Sequence, residues 1–278
     1  FVGCDGLDGS ITIRAAAANS LNGTTCFDDS PFNELIISDI DTIIYNGNFD
    51  YFVGREVALT LPSNLDVLSS YAFDNYKFTG YLDLPETLTD IQVAVFKNCT
   101  GFIGPIIIPE SVTRILASAF ENCSGFDGDL TLPNNITTIG NAAFNNCTGL
   151  QGTISISDLT AQSISTFDSV FLNTDFSKVL AHSTDGLIED EDFDLFELFT
   201  GSLEVASNVS EVGDYAFDNF DFEGDLELAT TVGIIGDSSF YQTKFSGDLN
   251  LNAVEIGDSA FYDCFFDGNL SLPFGVVN

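Results

Sequence analysis

A repeat solenoid, a β-rich right-handed stack of about 12 coils, is the fold the sequence predicts, and three observations predict it. A phrase of about two dozen residues recurs, most plainly as GFIGPIIIPESVTRILASAFENC (101–123) and GFDGDLTLPNNITTIGNAAFNNC (125–147). A phenylalanine marks the same place in successive copies: Phe73, Phe96, Phe120, Phe144, Phe171, Phe193, Phe217, Phe240 and Phe261, at intervals of 21 to 27 residues. After each anchor an apolar residue and a glycine usually open an alternating run, as in Phe78 to Leu84, Phe126 to Leu132, Phe222 to Leu228 and Phe245 to Leu251.

Each part of the phrase has its own warrant. Alternation of apolar and polar residues is the pattern of a strand with one buried face. Five residues before most anchors stands a branched apolar side chain (Leu68, Ile91, Ile115, Ile139, Ile188, Val212, Ile235, Ile256), often followed by glycine, as at Gly140, Gly213, Gly236 and Gly257. Upstream, Phe1 fits the frame, Phe27 fits it loosely, and a degenerate coil precedes Phe73 and ends in ALTLP. One coil exposes two apolar edges; stacking joins those edges into a continuous core. With parallel strands about 4.8 Å apart, the coils would form a rod or shallow arc on the order of 55 Å long.

The phrase resembles the BspA-type leucine-rich repeat, whose copies read approximately L-x-x-I-x-I-P-x-x-V-x-x-I-G-x-x-A-F-x-x-C. Coils anchored at Phe96, Phe120, Phe144 and Phe217 match closely, and the resemblance covers nearly all of residues 1–278 as one leucine-rich-repeat-like array. Prolines and the I-G pair drop out at 27–60 and 155–200, where irregular coils are expected. The resemblance implies a surface protein that adheres to host or matrix proteins.

Composition fits a folded, secreted, acidic chain. Hydrophobic residues make up 45% of 278 positions, enough for a core, and the aromatic load is almost all phenylalanine, 27 against no tryptophan, as a single reused stacking position requires. The net charge of −35 repels nucleic acid and anionic membrane, excluding both as partners, and favours divalent cations, basic proteins or a saline medium. No apolar run is long enough to span a bilayer, so direct membrane insertion is not expected. The chain opens at an anchor and closes inside a phrase (NLSLPFGVVN), which reads as a segment cut from a longer or processed protein.

Cys4, Cys99, Cys123, Cys147 and Cys264 each fall three residues after an anchor, and only Cys26 does not. Three consecutive ladder cysteines cannot all pair, and a cysteine repeated at a core position behaves as a small buried hydrophobe. The ladder is read as free thiols, while a Cys4 to Cys26 bridge closing the first coil stays open. A second ladder stands two residues after the anchor: Asn75, Asn98, Asn122, Asn146, Asn173 and Asn219, with Gln242 and Asp263 as substitutes. Asn98, Asn122 and Asn146 are also glycosylation sequons, as are Asn22, Asn135, Asn208 and Asn269. Sugars on adjacent coils would crowd, so those three are read as structural, bonding backbone groups at the turn. Asn135 and Asn208 are the better acceptors, with Asn22 and Asn269 as further candidates.

Acidic residues recur around the pre-strand glycine at Asp127, Asp129, Asp221, Glu223, Asp225, Asp248 and Asp267. Stacked coils could align them into a ridge that shares Ca²⁺, the one cofactor considered, against the plainer reading of a solvated acidic face. A second cluster, IEDEDFDLFEL, holds Glu189, Asp190, Glu191, Asp192 and Asp194. Neither is an EF-hand.

No catalytic motif is present: there is no nucleophile elbow, no zinc-protease helix, no phosphate-cradling glycine loop, and His182 is the only histidine. Two function classes follow. The first is a non-enzymatic extracellular or cell-surface protein, structural or adhesive, with protein partners and self-assembly into a filament or surface layer. The second is a receptor-like recognition module that binds a protein, peptide or glycan on its strand face, with residues 155–200 as its specific site.

Overall fold

The computed structural model describes residues 9–14, 31–38, 43–164 and 167–275. They form a parallel β-solenoid of about 10 turns. The coils counted from Phe1 and Phe27 are described only through their strands, Gly9–Arg14 and Phe32–Ser38. The chain divides into two compact units, Phe1–Gln151 with Asp168–Asp175, and Gly152–Phe167 with Phe176–Asn278.

In the first unit the long strands Gly9–Arg14, Phe32–Ser38, Glu56–Thr60 and Lys77–Thr79 pair in parallel, one coil to the next. Gly104–Ile107 and Phe126–Thr131 pair likewise, and a bridge between Gly80 and Phe102 joins the two runs. The runs that contain Glu56–Thr60, Lys77–Thr79, Gly104–Ile107 and Phe126–Thr131 each end in a tight turn. Where the sequence has P-x-x-[LVI], the proline carbonyl accepts the amide three residues on: Leu65 to Pro62 (3.2 Å), Leu88 to Pro85 (3.1 Å) and Val112 to Pro109 (3.0 Å). A two-residue strand at the branched position follows, and these stack as Asp90–Ile91, Arg114–Ile115 and Thr138–Ile139.

The second unit repeats this plan. Residues 153–157 pair with Lys178–His182, which pairs with Ser202–Val205, which pairs with Leu226–Leu228. The turn survives without proline, since Val209 and Val232 donate to Ala206 and Ala229 at 3.0 and 3.1 Å.

The anchors form the core. In the first unit, Phe73, Phe96, Phe120, Phe144 and Phe171 stack in series at centroid separations of 5.3–5.8 Å. In the second, Phe193, Phe217, Phe240 and Phe261 stack at 5.3–5.9 Å. Phe78, Phe102, Phe126, Phe222 and Phe245, which open strand runs, meet their anchors edge-on, as Phe126 meets Phe120 at 6.2 Å and 79°. Ring faces therefore run along the stack and ring edges close each coil from the side.

Both stretches expected to be irregular carry ladder residues. The coil before Phe73 is anchored by Phe49, which is buried and lies 6.3 Å from Phe73. Within 155–200, a short helix, Asp158–Gln162, replaces the proline turn. Ser157 caps it, accepting the Thr160 amide at 3.3 Å. Asp158 is buried and accepts the Thr184 amide at 2.9 Å and the Ser183 hydroxyl at 3.2 Å, while Gln162 Nε2 donates to Asp192 at 2.5 Å.

Cys99, Cys123, Cys147 and Cys264 are free thiols, and the first three are buried. Each donates to the anchor carbonyl one coil back: Cys99 to Phe73 (3.1 Å), Cys123 to Phe96 (2.9 Å), Cys147 to Phe120 (3.1 Å) and Cys264 to Phe240 (3.0 Å). Cys4 and Cys26, and with them the open bridge, lie outside the described residues. Burial pushes the Cys147 thiol up to about 12 and also raises those of Cys99, Cys123 and the half-buried Cys264. Because the thiolate is the reactive form, a thiol reagent at neutral pH should modify Cys264 first. Cys99, Cys123 and Cys147 should react only as fast as the fold opens. Mass-spectrometric labelling that found all four modified at one rapid rate would contradict their burial.

Candidate functional site

The turn that carries each anchor is the most regular surface of the molecule. Residues two before and two after the anchor take left-handed backbone: Ala94 and Asn98 (φ 52° and 62°), Ser118 and Asn122 (58° and 64°), and Tyr215 and Asn219 (59° and 62°). Alternate amides then face the next coil, so that Ala94, Phe96 and Asn98 donate to Ala117, Ala119 and Glu121 at 3.0, 2.9 and 2.8 Å. Asparagine tolerates this region better than most side chains, which explains the second ladder.

The asparagine side chains also bond, though to one another and not to the backbone groups expected. Asn98 Nδ2 donates to Asn75 Oδ1 (2.9 Å), Asn122 to Asn98 (2.6 Å), Asn146 to Asn122 (2.7 Å) and Asn173 to Asn146 (2.6 Å). Parallel stacking places identical side chains one coil apart, and an amide carries a donor and an acceptor that match its own copy. The other described sequons also use their amide nitrogens. Asn135 donates to the Glu110 carbonyl at 2.9 Å, Asn208 to that of Ser183 at 2.5 Å, and Asn269 to Asp248 Oδ1 at 3.2 Å; all three residues are exposed. Asn22 lies outside the described residues.

The acidic residues divide by use. Asp127 and Asp129 lie on Phe126–Thr131 in the first unit, and both are exposed. In the second unit, Asp221 pairs with Lys244 at 2.5 Å, Asp248 Oδ1 accepts the Asn269 amide at 2.6 Å, and Asp267 accepts that of Gly247 at 2.9 Å. Glu223 and Asp225 sit on the same run, where the Asp225 amide donates to Ser202 Oγ at 3.1 Å. A further ladder follows the I-G pair and was not singled out from the sequence. Asp214 Oδ1 accepts the Asp237 amide (2.7 Å) and Asp237 Oδ1 that of Asp258 (2.6 Å), across a glycine where a Cβ at Gly236 would lie 2.5 Å from the Asp214 nitrogen. Among the described residues, no group of three or more His, Cys, Asp or Glu is placed to hold a metal ion.

The IEDEDFDLFEL cluster splits between interior and surface. Asp192 is buried and accepts the Glu189 amide at 2.6 Å. Asp190 and Asp194 join Glu197 and Asp218, with Tyr215, Asn219 and Phe220, around a cavity of about 350 Å³. Glu197 ends the same segment on the same coil, whereas Asp218 comes from the next coil and is brought in only by stacking. Asp218 Oδ1 is shielded from solvent and has no hydrogen-bond donor. The cavity offers a negative potential and an aromatic wall, and its lining holds no Ser, Thr, His or Cys.

Burial lifts the carboxyl of Asp192 above its ordinary range, against the hydrogen bonds from Glu189 and Gln162. Burial and then the charge of Asp190 lift Asp194 and Asp218. A carboxyl raised in the folded state binds protons more tightly there than in the unfolded chain, whose value lies near about 3.9. Its contribution is complete below that value and is lost as pH rises through the folded value. Burial depresses His182, which therefore opposes the trend in the same window, whereas Asp185 and Glu121 are held low and lose their contribution only at stronger acidity. With three raised carboxyls and a net charge of −35 on one side, the melting temperature should rise as pH is lowered from neutral towards the ordinary carboxylate range. Asp218→Asn should flatten the rise; a melting temperature that falls throughout would contradict the assignment.

No helix of the described residues is long and apolar enough to cross a membrane. Among curated proteins none matches the chain. Solved structures similar to it include a leucine rich cell surface protein from Faecalibacterium prausnitzii A2-165 (18% identity, TM-score 0.36, covering 92% of this chain and 79% of that one) and a leucine-rich repeat protein from Bacteroides ovatus ATCC 8483 (18%, 0.41, 96% and 84%). The family model of the BspA type leucine rich repeat region matches in 6 copies over residues 20–151, 128–243 and 165–276. Those ranges span most of the chain, so the chain belongs to the BspA type leucine-rich repeat family.

Proposed function

We propose that this chain is a non-enzymatic extracellular protein, held at a cell surface or built into a filament or matrix, where its acidic solenoid serves a structural or adhesive role. One observation carries the reading: the side chains that usually do chemistry are engaged between coils. The asparagines bond asparagines, the carboxylates of Asp214 and Asp237 each accept the amide that follows the next coil's I-G pair, and the thiols bond anchor carbonyls. The charges that face outward are mostly acidic, which suits basic protein partners. The sequons and the family add support for an extracellular setting, with Asn135 and Asn208 as the sugar acceptors.

Electron microscopy of the native material, with and without a calcium chelator, tests this. The expected result is label for this chain on the cell surface or in an ordered array. Calcium enters the proposal only as an ion bridging acidic faces of neighbouring molecules, so an array that survives chelation removes it. Dispersed particles with no surface-bound fraction would overturn the structural and adhesive reading.

A further inference from the structure

One strand breaks the acidic pattern. In Gly104–Ile107 and the residue before it, Gly104 and Ile106 point inward, while Ile103, Pro105 and Ile107 point outward; Ile103 is 48% exposed and Ile107 68%. Among described strands of four or more residues, this is the one whose outward positions are all apolar. Tyr81, on the preceding coil and 69% exposed, extends the patch. Its ring lies over Gly104, where a Cβ would meet Tyr81 Cε1 at 2.5 Å, so the glycine makes the seat that holds the ring flat on the sheet. An apolar cluster on the surface of a chain with a net charge of −35 is an interaction site by its contrast with everything around it.

We infer that Tyr81, Ile103, Pro105 and Ile107 form a docking patch for an extended segment of another protein, whose apolar side chains are flanked by lysine or arginine. This rests on, and sharpens, the adhesive reading above. The chemistry of the partner follows from the rim. Asp127 and Asp129 lie on the strand paired with Gly104–Ile107, opposite Pro105 between the Phe126–Gly104 and Leu130–Ile106 pairs, and Asp83 faces outward beside Tyr81. Lys77 is the cation nearest along the preceding strand, outnumbered three to one by these acids. A second copy of this chain would bring the same acids and the same net charge against them, whereas a cationic segment would neutralise them. The strand is not open to a new β-partner: it pairs with Phe126–Thr131 on one side, and the Ile103 amide donates to the Gly80 carbonyl at 2.9 Å on the other. Recognition is therefore through side chains on the sheet face, with apolar anchors at the centre and charges at the rim.

The test uses the intact chain and two short synthetic peptides, one alternating leucine with lysine and one alternating serine with lysine, followed by fluorescence anisotropy. Wild-type protein should bind the leucine–lysine peptide about tenfold or more tighter than the serine–lysine peptide. The double substitution Ile103→Ser and Ile107→Ser should erase that preference while leaving the melting temperature and the weak serine–lysine binding in place, because both side chains point to solvent. Equal binding of both peptides by the wild type, or a preference that survives the substitution, would overturn the patch. So would self-association of the wild type that the substitution abolishes, since the occupant would then be a second copy. Adhesion by native material that the double substitution leaves intact would remove the patch and keep the adhesive reading; loss of all surface association in the wild type would remove that reading itself.

Discussion

Phe120→Ala should lower the stability of the first unit by about 3–5 kcal/mol, the cost of emptying a large aromatic site in a packed core. Phe120 is fully buried, stacks on Phe96 at 5.6 Å and on Phe144 at 5.3 Å, and takes the edge of Phe126 at 6.2 Å. A globular core can partly collapse around such a cavity. Here the backbone ladder on both sides fixes the coil spacing: Phe120 N donates to Ala143 O at 2.8 Å and Phe96 N to Ala119 O at 2.9 Å. The core therefore loses three ring contacts without a way to close the gap. Because each coil touches only its neighbours, the loss should also weaken the cooperativity that joins the coils on either side. Phe274→Ala, at a side chain open to solvent, is the control and should change stability by less than about 0.5 kcal/mol. Denaturant unfolding followed by circular dichroism distinguishes the two; equal effects would mean that the anchors are not the core.

Gly125→Ala should be about as damaging as removing an anchor side chain, roughly 3 kcal/mol, although it adds only one methyl group. A Cβ at Gly125 would lie 2.3 Å from the Phe102 carbonyl oxygen and 2.5 Å from that of Thr100. Both obstacles are backbone, so no rotamer change relieves the clash and two coils must separate locally. The same glycine recurs in the neighbouring copies, at Gly101 before Phe102 and at Gly149 before Leu150, each against the carbonyl of the preceding coil. If Gly125→Ala were neutral in unfolding experiments, the coil spacing described here would be wrong at that point.

Most of the fold is legible in the sequence, because a repeat writes the same instruction many times. The anchor phenylalanines, the branched residue five positions earlier and the alternating run each mark one corner of the coil, and their spacing gives the frame even where prolines are missing. Phe49 stands 24 residues before Phe73, the interval of the regular copies, with Ile44 five residues before it and the run ending in ALTLP after it, so that coil was legible although the I-G pair and the cysteine are missing there. The helix at Asp158–Gln162 had a local signal in Ser157, an N-cap residue at the place where other coils have proline.

The candidate site was harder to see. Asn98, Asn122 and Asn146 stand out by spacing, but whether their amides meet the backbone or each other depends on side-chain direction after a left-handed turn. The acidic cavity joins Asp190 and Asp194 to Glu197 and Asp218 from the same coil and the next, and an acidic run in sequence does not reveal which members face inward. Asp192, in the middle of that run, is buried. The Tyr81 and Ile107 patch was hidden for a related reason: in an alternating run the outward residues look like filler until the strand beneath them is fixed.

Site-resolved hydrogen exchange under native conditions tests the central claim, that coils are joined through the anchor turns, most directly. The amides of Phe96, Phe120 and Phe144 donate to the next coil and lie over buried rings. They are predicted to exchange only through opening of the whole unit, with protection matching its unfolding free energy. Exchange of these amides at the rate of an exposed surface turn would contradict the stacked-coil account.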